Sequence, residues 1–441
     1  MNVHETNKCL LDARYDEPGL FPHLEQLAEL PIAFKMDFGL EKLPQEPGLI
    51  LIRGGRQLGK STWLEKAMRE TALEHGPGSV YYLNGDEIGD QEELSELIGD
   101  LSGLFNKKAA QRVLFIDEIT AVKNWEKALK KLADQGIVRD MLIVTTGSKT
   151  IDLRRGTERL PGRKGKLDRS NYRFTPVSFS EFKTKTQNYF SKDKTLWAYI
   201  LTGGSPVAIN GLVSSGRIPE YVVELTRDWV FGEVALQGRS IESMKWVLRA
   251  LAENGGMPLS LHKLAEVSGL ANNTVAQGYV DLLKDLGCLS STMRLESNKL
   301  KPLARKASKY HFTYLLVPIT FSSQRVRTLE DFIAIPDHEK GRWIEWVIAQ
   351  ELWRRSAIAG EDSPEQQYFW KSDEHEVDFI FKDRFFESKL GDTEISRFMW
   401  FPKVFKNQTL EVVCATKKSQ KTTAGFCKIL SLEEFLLEKG G

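Results

Sequence analysis

The sequence has few cysteines and no long apolar run. Its four cysteines, at positions 9, 288, 414 and 427, lie far apart in a chain of 441 residues and form no Cys-x-x-Cys pair. They therefore exclude a disulfide scaffold and give no sign of a zinc ribbon. No apolar stretch reaches the ~18 residues of a membrane span, and the first residues lack the pattern of a secretory signal. These absences predict a cytoplasmic protein with no membrane partner.

The sequence also lacks an excess of charge of either sign. Lys and Arg number 61 and Asp and Glu number 60, so the formal net charge is +1. No global field attracts nucleic acid, and any such contact must depend on local patches. Hydrophobic residues at 41% and charged residues at 27% are ordinary for globular proteins, which excludes a disordered or fibrous chain. The length predicts about two to four domains.

A glycine-rich turn between a predicted strand and a predicted helix carries the strongest motif. Residues 49–53 are apolar, and residues 54–61 match Gly-x-x-x-x-Gly-Lys-Ser/Thr at every fixed position. Backbone N–H groups of such a loop surround a phosphate at a helix N-terminus, with the lysine on the β- and γ-phosphates and the hydroxyl on Mg²⁺. The residues predicted to bind ATP are Gly54, Gly55, Arg56, Gln57, Leu58, Gly59, Lys60, Ser61 and Thr62. An ordinary glycine-rich turn is the alternative.

A second apolar run, at residues 113–116, ends in two acids, Asp117 and Glu118. A parallel sheet presents such residues at the edge where ligands bind. We expect Asp117 to hold Mg²⁺ and Glu118 to polarise the water that attacks ATP; acids that cap a helix are the alternative. The next strand ends near Thr146 and Ser148, either of which is placed to sense a γ-phosphate. No Asn-Lys-x-Asp or Thr-Lys-x-Asp guanine motif occurs, which favours ATP over GTP.

The pattern of apolar runs changes along the chain. In the first part they alternate with amphipathic stretches, which is typical of a parallel sheet covered by helices. Later come helical segments, then three helices and a hairpin with the order of a winged helix-turn-helix, and finally a helix followed by strands. The sequence therefore predicts an α/β protein with four domains: a P-loop ATPase core (1–178), a helical lid (179–235), a winged helix-turn-helix (236–325) and a C-terminal α/β domain (330–441).

The predicted winged helix carries side chains suited to DNA. Those on or beside its recognition helix are Asn272, Asn273, Thr274, Gln277 and Lys284. Asn and Gln can pair with adenine in the major groove. The basic residues that follow, Arg294, Lys299, Lys301, Arg305, Lys306 and Lys309, are accompanied by one acid, which indicates phosphate contacts. A protein-packing module with a solvated basic face is the alternative.

A predicted hairpin in the last domain brings two acids and a lysine together. Its strands, 376–381 and 385–389, place Asp378 beside Glu387, and the alternation of a strand puts Glu387 and Lys389 on one face. Two carboxylates would bind Mg²⁺, and the lysine would orient a water for attack on a phosphodiester. A degenerate fold with solvated acids, now used for contacts, is the alternative.

Taken together, the motifs resemble those of prokaryotic AAA ATPases of the origin-recognition and STAND-like group. The segments that carry the resemblance are 53–62, 115–119, 124–125, 146–148, 160–163, 176–182, 203–206 and 340–345. The resemblance implies an ATPase core, a winged helix and a restriction-endonuclease-like terminus. It also implies an arginine near the nucleotide at Arg163, for which a solvated loop arginine is the alternative. The Asp…Glu-x-Lys pattern resembles restriction-type nucleases, in which Glu345 matches a further acid of the metal site.

Two functions follow from these motifs. In the first, Mg-ATP binds between core and lid and rearranges the winged helix, so that ATP controls DNA engagement and cleavage by the terminal domain. In the second, the chain is a nucleotide-gated regulator that binds DNA, a protein partner or a second copy and cuts nothing. The set Asp378, Glu387 and Lys389 distinguishes the two, because only the first requires it to be catalytic.

Overall fold

The computed structural model describes residues 2–147, 166–296, 300–303, 306–361, 363–364, 366–416 and 423–438. These form two compact units. Unit 1 comprises residues 1–175 with 357–360, and unit 2 comprises residues 176–356 with 361–441. Four residues with predicted roles, Ser148, Arg163, Lys299 and Arg305, lie outside the described residues.

Unit 1 contains a five-stranded parallel sheet. Its strands are β1 (Gly48–Arg53), β2 (Val80–Asn84), β3 (Val113–Asp117), β4 (Leu142–Gly147) and β5 (Asn171–Arg173), in the order β2-β3-β4-β1-β5. All four neighbouring pairs are parallel. The apolar runs of β1 and β3 are buried, as strands covered on both faces must be. The predicted α/β fold with a P-loop-type sheet is thereby confirmed.

Five helices belong to this unit in its described residues, and the last three of them lie in the crossover connections that parallel strands need. They are α1 (Val3–Leu11), α2 (Pro22–Glu29), α3 (Lys60–His75), α4 (Gln91–Leu104) and α5 (Trp125–Asp134). Helix α5 buries Trp125, Ala128, Leu129 and Leu132, whose spacing places them on one face. Burial of each large apolar side chain contributes about 1.5–3 kcal/mol, so this face fixes the helix on the sheet.

Unit 2 is rich in helices. They are α6 (Phe179–Thr186), α7 (Lys192–Thr202), α8 (Pro206–Ser215), α9 (Glu220–Leu236), α10 (Ile241–Glu253), α11 (Leu261–Val267), α12 (Asn273–Asp285), α13 (Leu316–Phe321), α14 (Leu329–Ile333), α15 (Asp337–Ala359), α16 (Phe401–Val404) and α17 (Leu432–Leu437). Helices α10 to α12 are those predicted for the winged helix. Among the described residues, no helix has both the length and the hydropathy that a membrane span requires.

An eight-stranded mixed sheet runs through unit 2. Its strands are β6 (Leu289–Arg294), β7 (Lys309–Phe312), β8 (Gln366–Lys371), β9 (Glu376–Phe381), β10 (Arg384–Lys389), β11 (Leu410–Cys414), β12 (Thr423–Ala424) and β13 (Cys427–Ser431). Their order is β12-β13-β11-β10-β9-β8-β6-β7. In the predicted wing hairpin, β6 pairs in parallel with β8. This pairing covers the edge of β6 that faces away from β7 and leaves β7 as the edge strand of the sheet. The strands predicted for two domains thus form one continuous sheet, and the boundary near residue 325 stays a prediction.

Candidate functional site

The phosphate loop lies between β1 and α3, and two of its glycines are required for different reasons. Gly59 has a φ of +97°, in the left-handed region that side chains rarely adopt. A Cβ on Gly54 would lie 2.7 Å from Cβ of Phe174, so only glycine fits there. The loop leads directly into the N-terminus of α3, whose unpaired N–H groups and partial positive charge favour an anion.

Lys60 begins α3 and turns back over the loop. Its Nζ donates to the carbonyl oxygens of Gly54 at 2.9 Å and Gly55 at 2.8 Å. Burial lowers the pKa of Lys60 to about 8, while Glu118 and Asp117 act in the opposite direction. A buried ammonium that donates to neutral carbonyls is placed to gain strongly from an anionic phosphate.

The two acids at the end of β3, Asp117 and Glu118, are held by the neighbouring strand β4. The hydroxyl of Thr146 on β4 donates to Oδ1 of Asp117. The backbone N–H of Glu118 contacts Asp117 Oδ1 and Thr146 Oγ1, each at 3.1 Å. Glu118 has a φ of +47°, and its Oε1 accepts from Thr120 Oγ1 at 2.6 Å. The carboxylate of Asp117 is thus fixed at the edge predicted for it, and Thr146 helps to position it; the γ-phosphate role of Thr146 stays a prediction.

A further contact of α3 was not foreseen from the sequence. Glu65, whose side chain is 2% exposed, accepts from the backbone N–H groups of His23 and Leu24 at the start of α2. Its Oε1 also lies 2.6 Å from Nδ1 of His23. This hydrogen bond raises the pKa of His23, against the effect of burial. The partners are 42 residues apart in the chain, and no local pattern connects them.

In the predicted DNA-binding segment, α11 and α12 are joined by a turn in which Gly269 has a φ of +62°. The side chain of Asn272 caps α12 by accepting from the N–H of Val275 at 3.0 Å. Asn273 and Thr274 are exposed at the start of the same helix. The N-terminus of α12 is therefore exposed, and contact of its side chains with DNA bases stays a prediction.

The structure corrects one assignment in the basic run. Lys309 was predicted to contact phosphate, but its side chain is 1% exposed and its Nζ lies 2.7 Å from Asp378 Oδ1. The prediction is wrong because β7 joins the large sheet, which turns this lysine toward acids. Arg294 donates to the carbonyl of Lys371 at 2.9 Å. Lys301 and Lys306 are exposed.

The predicted acid–lysine set of the last domain does come together. Strands β9 and β10 pair with Phe379 opposite Phe386, so the next pair along the hairpin is Asp378 with Glu387. Asp378 Oδ2 accepts from the N–H of Ser388 at 2.9 Å and from its hydroxyl at 2.7 Å. Lys389 Nζ donates to Glu387 Oε1 at 2.6 Å. The hairpin geometry is as the sequence predicts.

Three further residues, Lys309, His311 and Glu376, join Glu345 and this set in one cluster. We call it the acidic cluster, and its members are Lys309, His311, Glu345, Glu376, Asp378, Glu387 and Lys389. Burial raises the pKa of Glu345 and of Glu387 to about 8. Burial acts in the same direction on Asp378, but the charge of Lys309 and the hydrogen bonds from Lys309 and Ser388 outweigh it and hold the pKa of Asp378 at about 2.

The acids of the cluster surround Lys309. In the part of the chain that the structure describes, no group of three or more His, Cys, Asp or Glu side chains is arranged to hold a metal ion. Four polar atoms of the cluster are buried without a hydrogen-bond partner: Glu345 Oε2, Glu376 Oε1, Glu387 Oε2 and His311 Nδ1. The metal roles predicted for Glu345, Asp378 and Glu387 stay predictions.

Comparison with known proteins gives a family match in the N-terminal part of the chain. Residues 46–183 match the sequence profile of the AAA domain. The chain is similar to two proteins of Methanocaldococcus jannaschii, both described as uncharacterized. MJ1544 is 24% identical over 378 residues, which are 80% of this chain and 76% of that protein. MJ1637 is 29% identical over 157 residues, which are 35% of this chain and 31% of that protein.

The fold of the chain is also similar to that of two solved structures. The Walker-type ATPase PABY2304 of Pyrococcus abyssi is 16% identical with a TM-score of 0.43, over 69% of this chain and 94% of that one. The ORC1 protein of Aeropyrum pernix, solved with DNA, is 13% identical with a TM-score of 0.34, over 72% and 96%. The profile match supports the predicted AAA-type P-loop domain over residues 46–183; ATP hydrolysis, the winged helix and the nuclease-like domain stay predictions.

Proposed function

We propose that the chain hydrolyses Mg-ATP at the phosphate loop and uses its nucleotide state to control DNA binding through α11 and α12. The observation that supports this most directly is the loop itself. Gly59 is left-handed at the start of α3, and Lys60 is buried against neutral carbonyls. Together they form a site for the phosphates of a nucleotide.

The residues at this edge also suit Mg²⁺. The hydroxyl of Ser61 and the carboxylate of Asp117 are oxygen donors, which Mg²⁺ prefers, and Asp117 is already oriented by Thr146 and by the N–H of Glu118. The metal would neutralise charge on the transferred phosphoryl group. Glu118 then orients the attacking water, and Lys60 holds the β- and γ-phosphates.

The test is nucleotide and DNA binding by the full chain. We expect Lys60→Ala to abolish binding of a fluorescent ATP analogue and to remove any effect of ATP on DNA affinity, measured by anisotropy. The matched control is Lys66→Ala, because Lys66 lies on the same helix with its side chain 60% exposed. If Lys60→Ala binds ATP as the parent does, the phosphate-loop assignment fails.

A second candidate function is metal-dependent cleavage of a phosphodiester at the acidic cluster. The observation in its favour is that Asp378, Glu387 and Lys389 meet on one hairpin, beside Glu345. We expect Glu387→Ala to remove Mg²⁺-dependent nicking of plasmid DNA while ATP hydrolysis continues. If the parent does not nick plasmid DNA with Mg²⁺ or Mn²⁺, with or without ATP, the chain is better described as a nucleotide-gated regulator that cuts nothing.

A further inference from the structure

Strand β7, from the predicted wing, delivers two side chains to the acidic cluster. It is the edge strand of the large sheet, paired with β6 through Lys309 opposite Thr292 and His311 opposite Ser290. Because side chains two residues apart point to the same face of a strand, Lys309 and His311 enter the cluster together. Neither residue belongs to the acid–lysine set predicted from the hairpin.

Lys309 sits at the point where the acids converge. Its Nζ lies 2.6 Å from Glu376 Oε1, 2.7 Å from Asp378 Oδ1 and 3.7 Å from Glu345 Oε2. Burial acts to lower its pKa, but Asp378, Glu345 and Glu376 raise the pKa well above its usual value. Lys309 is therefore a buried cation with three carboxyl groups around its Nζ.

The atoms left without partners point to a second occupant. Glu387 Oε2 and His311 Nδ1 have no hydrogen-bond partner although both side chains are at least nine-tenths buried. His311 Nε2 lies 3.2 Å from Thr292 Oγ1, and its Nδ1 lies 4.0 Å from Glu345 Oε2. Carboxylate oxygens and a neutral imidazole nitrogen are both ligands of divalent metals. The donors exist, but the ammonium of Lys309 already lies among the carboxyl groups of Glu345, Glu376 and Asp378.

We propose that Lys309 is a cation lock: its ammonium takes the place of a divalent metal among Asp378, Glu376 and Glu345, and metal binds only when β7 carries this lysine away. Two cations cannot share the position, because their repulsion is strong in a buried site. Strand β7 has four residues and pairs within the sheet with β6 alone, and a strand paired on one side has fewer backbone hydrogen bonds to break when it moves than a strand paired on both sides. This proposal depends on the second candidate function, phosphodiester cleavage at the acidic cluster, only in the choice of the residues that donate to the metal.

The test is Mn²⁺ binding by full-length variants, followed by electron paramagnetic resonance, without nucleotide and with Asp117→Asn in every protein. We expect Lys309→Gln to bind Mn²⁺ roughly tenfold more tightly than the parent, because the competing charge is gone. Lys389→Gln is the matched control: it removes the same charge from the same cluster but leaves Lys309 in place, so its gain should be clearly smaller. Lys309→Arg, which keeps the charge, should show no gain. Adding Asp378→Asn to Lys309→Gln should remove the gain.

Removal of Lys309 also leaves buried acids unpaired, which destabilises the fold. Thermal unfolding therefore accompanies the binding measurement. The lock predicts that Mn²⁺ raises the Tm of Lys309→Gln more than that of the parent, and that it restores a folding transition if the variant has none alone. A variant that stays unfolded in Mn²⁺, or that binds Mn²⁺ no better than Lys389→Gln does, overturns the proposal. Tight Mn²⁺ binding without cleavage supports the lock and contradicts the nuclease.

Discussion

Each unit brings a lysine and acids together beside a sheet, but the two places handle charge differently. In unit 1, Lys60 donates to backbone carbonyls, and Asp117 accepts from a hydroxyl and an N–H group. In unit 2, Lys309 and Lys389 pair directly with carboxylates, among them Asp378. Charges that meet neutral groups are prepared for a charged ligand. Charges that meet each other are costly to separate once they are buried, and they must be separated before a ligand can bind.

The chain distance between the partners explains much of this difference. The phosphate loop is built by residues 54–61, so one turn and one helix start fix its geometry. The acidic cluster draws on β7, α15, β9 and β10, which the large sheet brings together over residues 309–389. The ion pairs of this cluster connect distant elements of unit 2. Its lysines therefore have carboxyl groups of the protein itself as partners.

The largest change in unfolding free energy is expected from an Asp→Asn substitution in the acidic cluster, compared with the same substitution beside the phosphate loop. Asp378→Asn removes one of the two β9 carboxylates that pair with the buried Lys309, the other being that of Glu376, and should cost up to about 3–5 kcal/mol of unfolding free energy, the range for removal of one partner from a buried pair. Asp117→Asn removes no ion pair and should cost no more than about 1 kcal/mol. Chemical denaturation of the two variants measures both values.

Ser388→Ala is the control for the Asp378 measurement. It removes the hydroxyl that donates to Asp378 Oδ2 but leaves the ion pair intact, so its cost should lie between those of the two aspartate variants. If Asp117→Asn proves as costly as Asp378→Asn, the acids of the two units do not differ in the way described here.

The next effect concerns catalysis in unit 1. Glu118→Gln should leave ATP affinity unchanged and slow hydrolysis by ~10²-fold or more, because the carboxylate acts on the attacking water and not on the bound phosphates. Steady-state hydrolysis and analogue titration separate the two readouts. Glu126→Gln, a change in the first turn of α5, is the control and should leave both unchanged. A loss of ATP affinity in Glu118→Gln would give this residue a binding role instead.

The sequence was informative where partners are close in the chain. The strands of unit 1 follow from apolar runs, the phosphate loop from its glycines, and the meeting of Asp378 with Glu387 from the shortness of the hairpin between them. The position of Lys309 could not be predicted in this way. It depends on the parallel pairing of β6 with β8, whose partners are 75 residues apart, as for Ser291 and Gln366, and its neighbours in sequence indicated only an exposed basic run.

The smallest effect is expected at His23, which lies outside the phosphate loop. Its hydrogen bond to Glu65 raises its pKa, burial opposes this, and the charges of Glu65 and Asp117 add to the increase. A histidine whose pKa is higher in the folded state binds its proton more tightly there. Its contribution to stability is present at low pH and is lost as the pH rises past 6.5 and through the folded pKa. Because the side chain is 47% exposed, solvent screening limits this contribution to less than about 1 kcal/mol.

His23→Gln should therefore flatten the decline in stability that we expect of the parent in urea denaturation as the pH rises past 6.5, and it should leave ATP affinity unchanged. His262→Gln, at an exposed position of α11, is the control and should keep the slope of the parent. Glu65→Gln should flatten the slope as His23→Gln does, since it removes the same charged partner. A decline that persists in both variants would mean that this pair does not cause it. A fall in ATP affinity would show that the contact between α2 and α3 belongs to the nucleotide site. The internally paired charges of His23 and Glu65 would then no longer be separate, within unit 1, from the charges that bind the ligand.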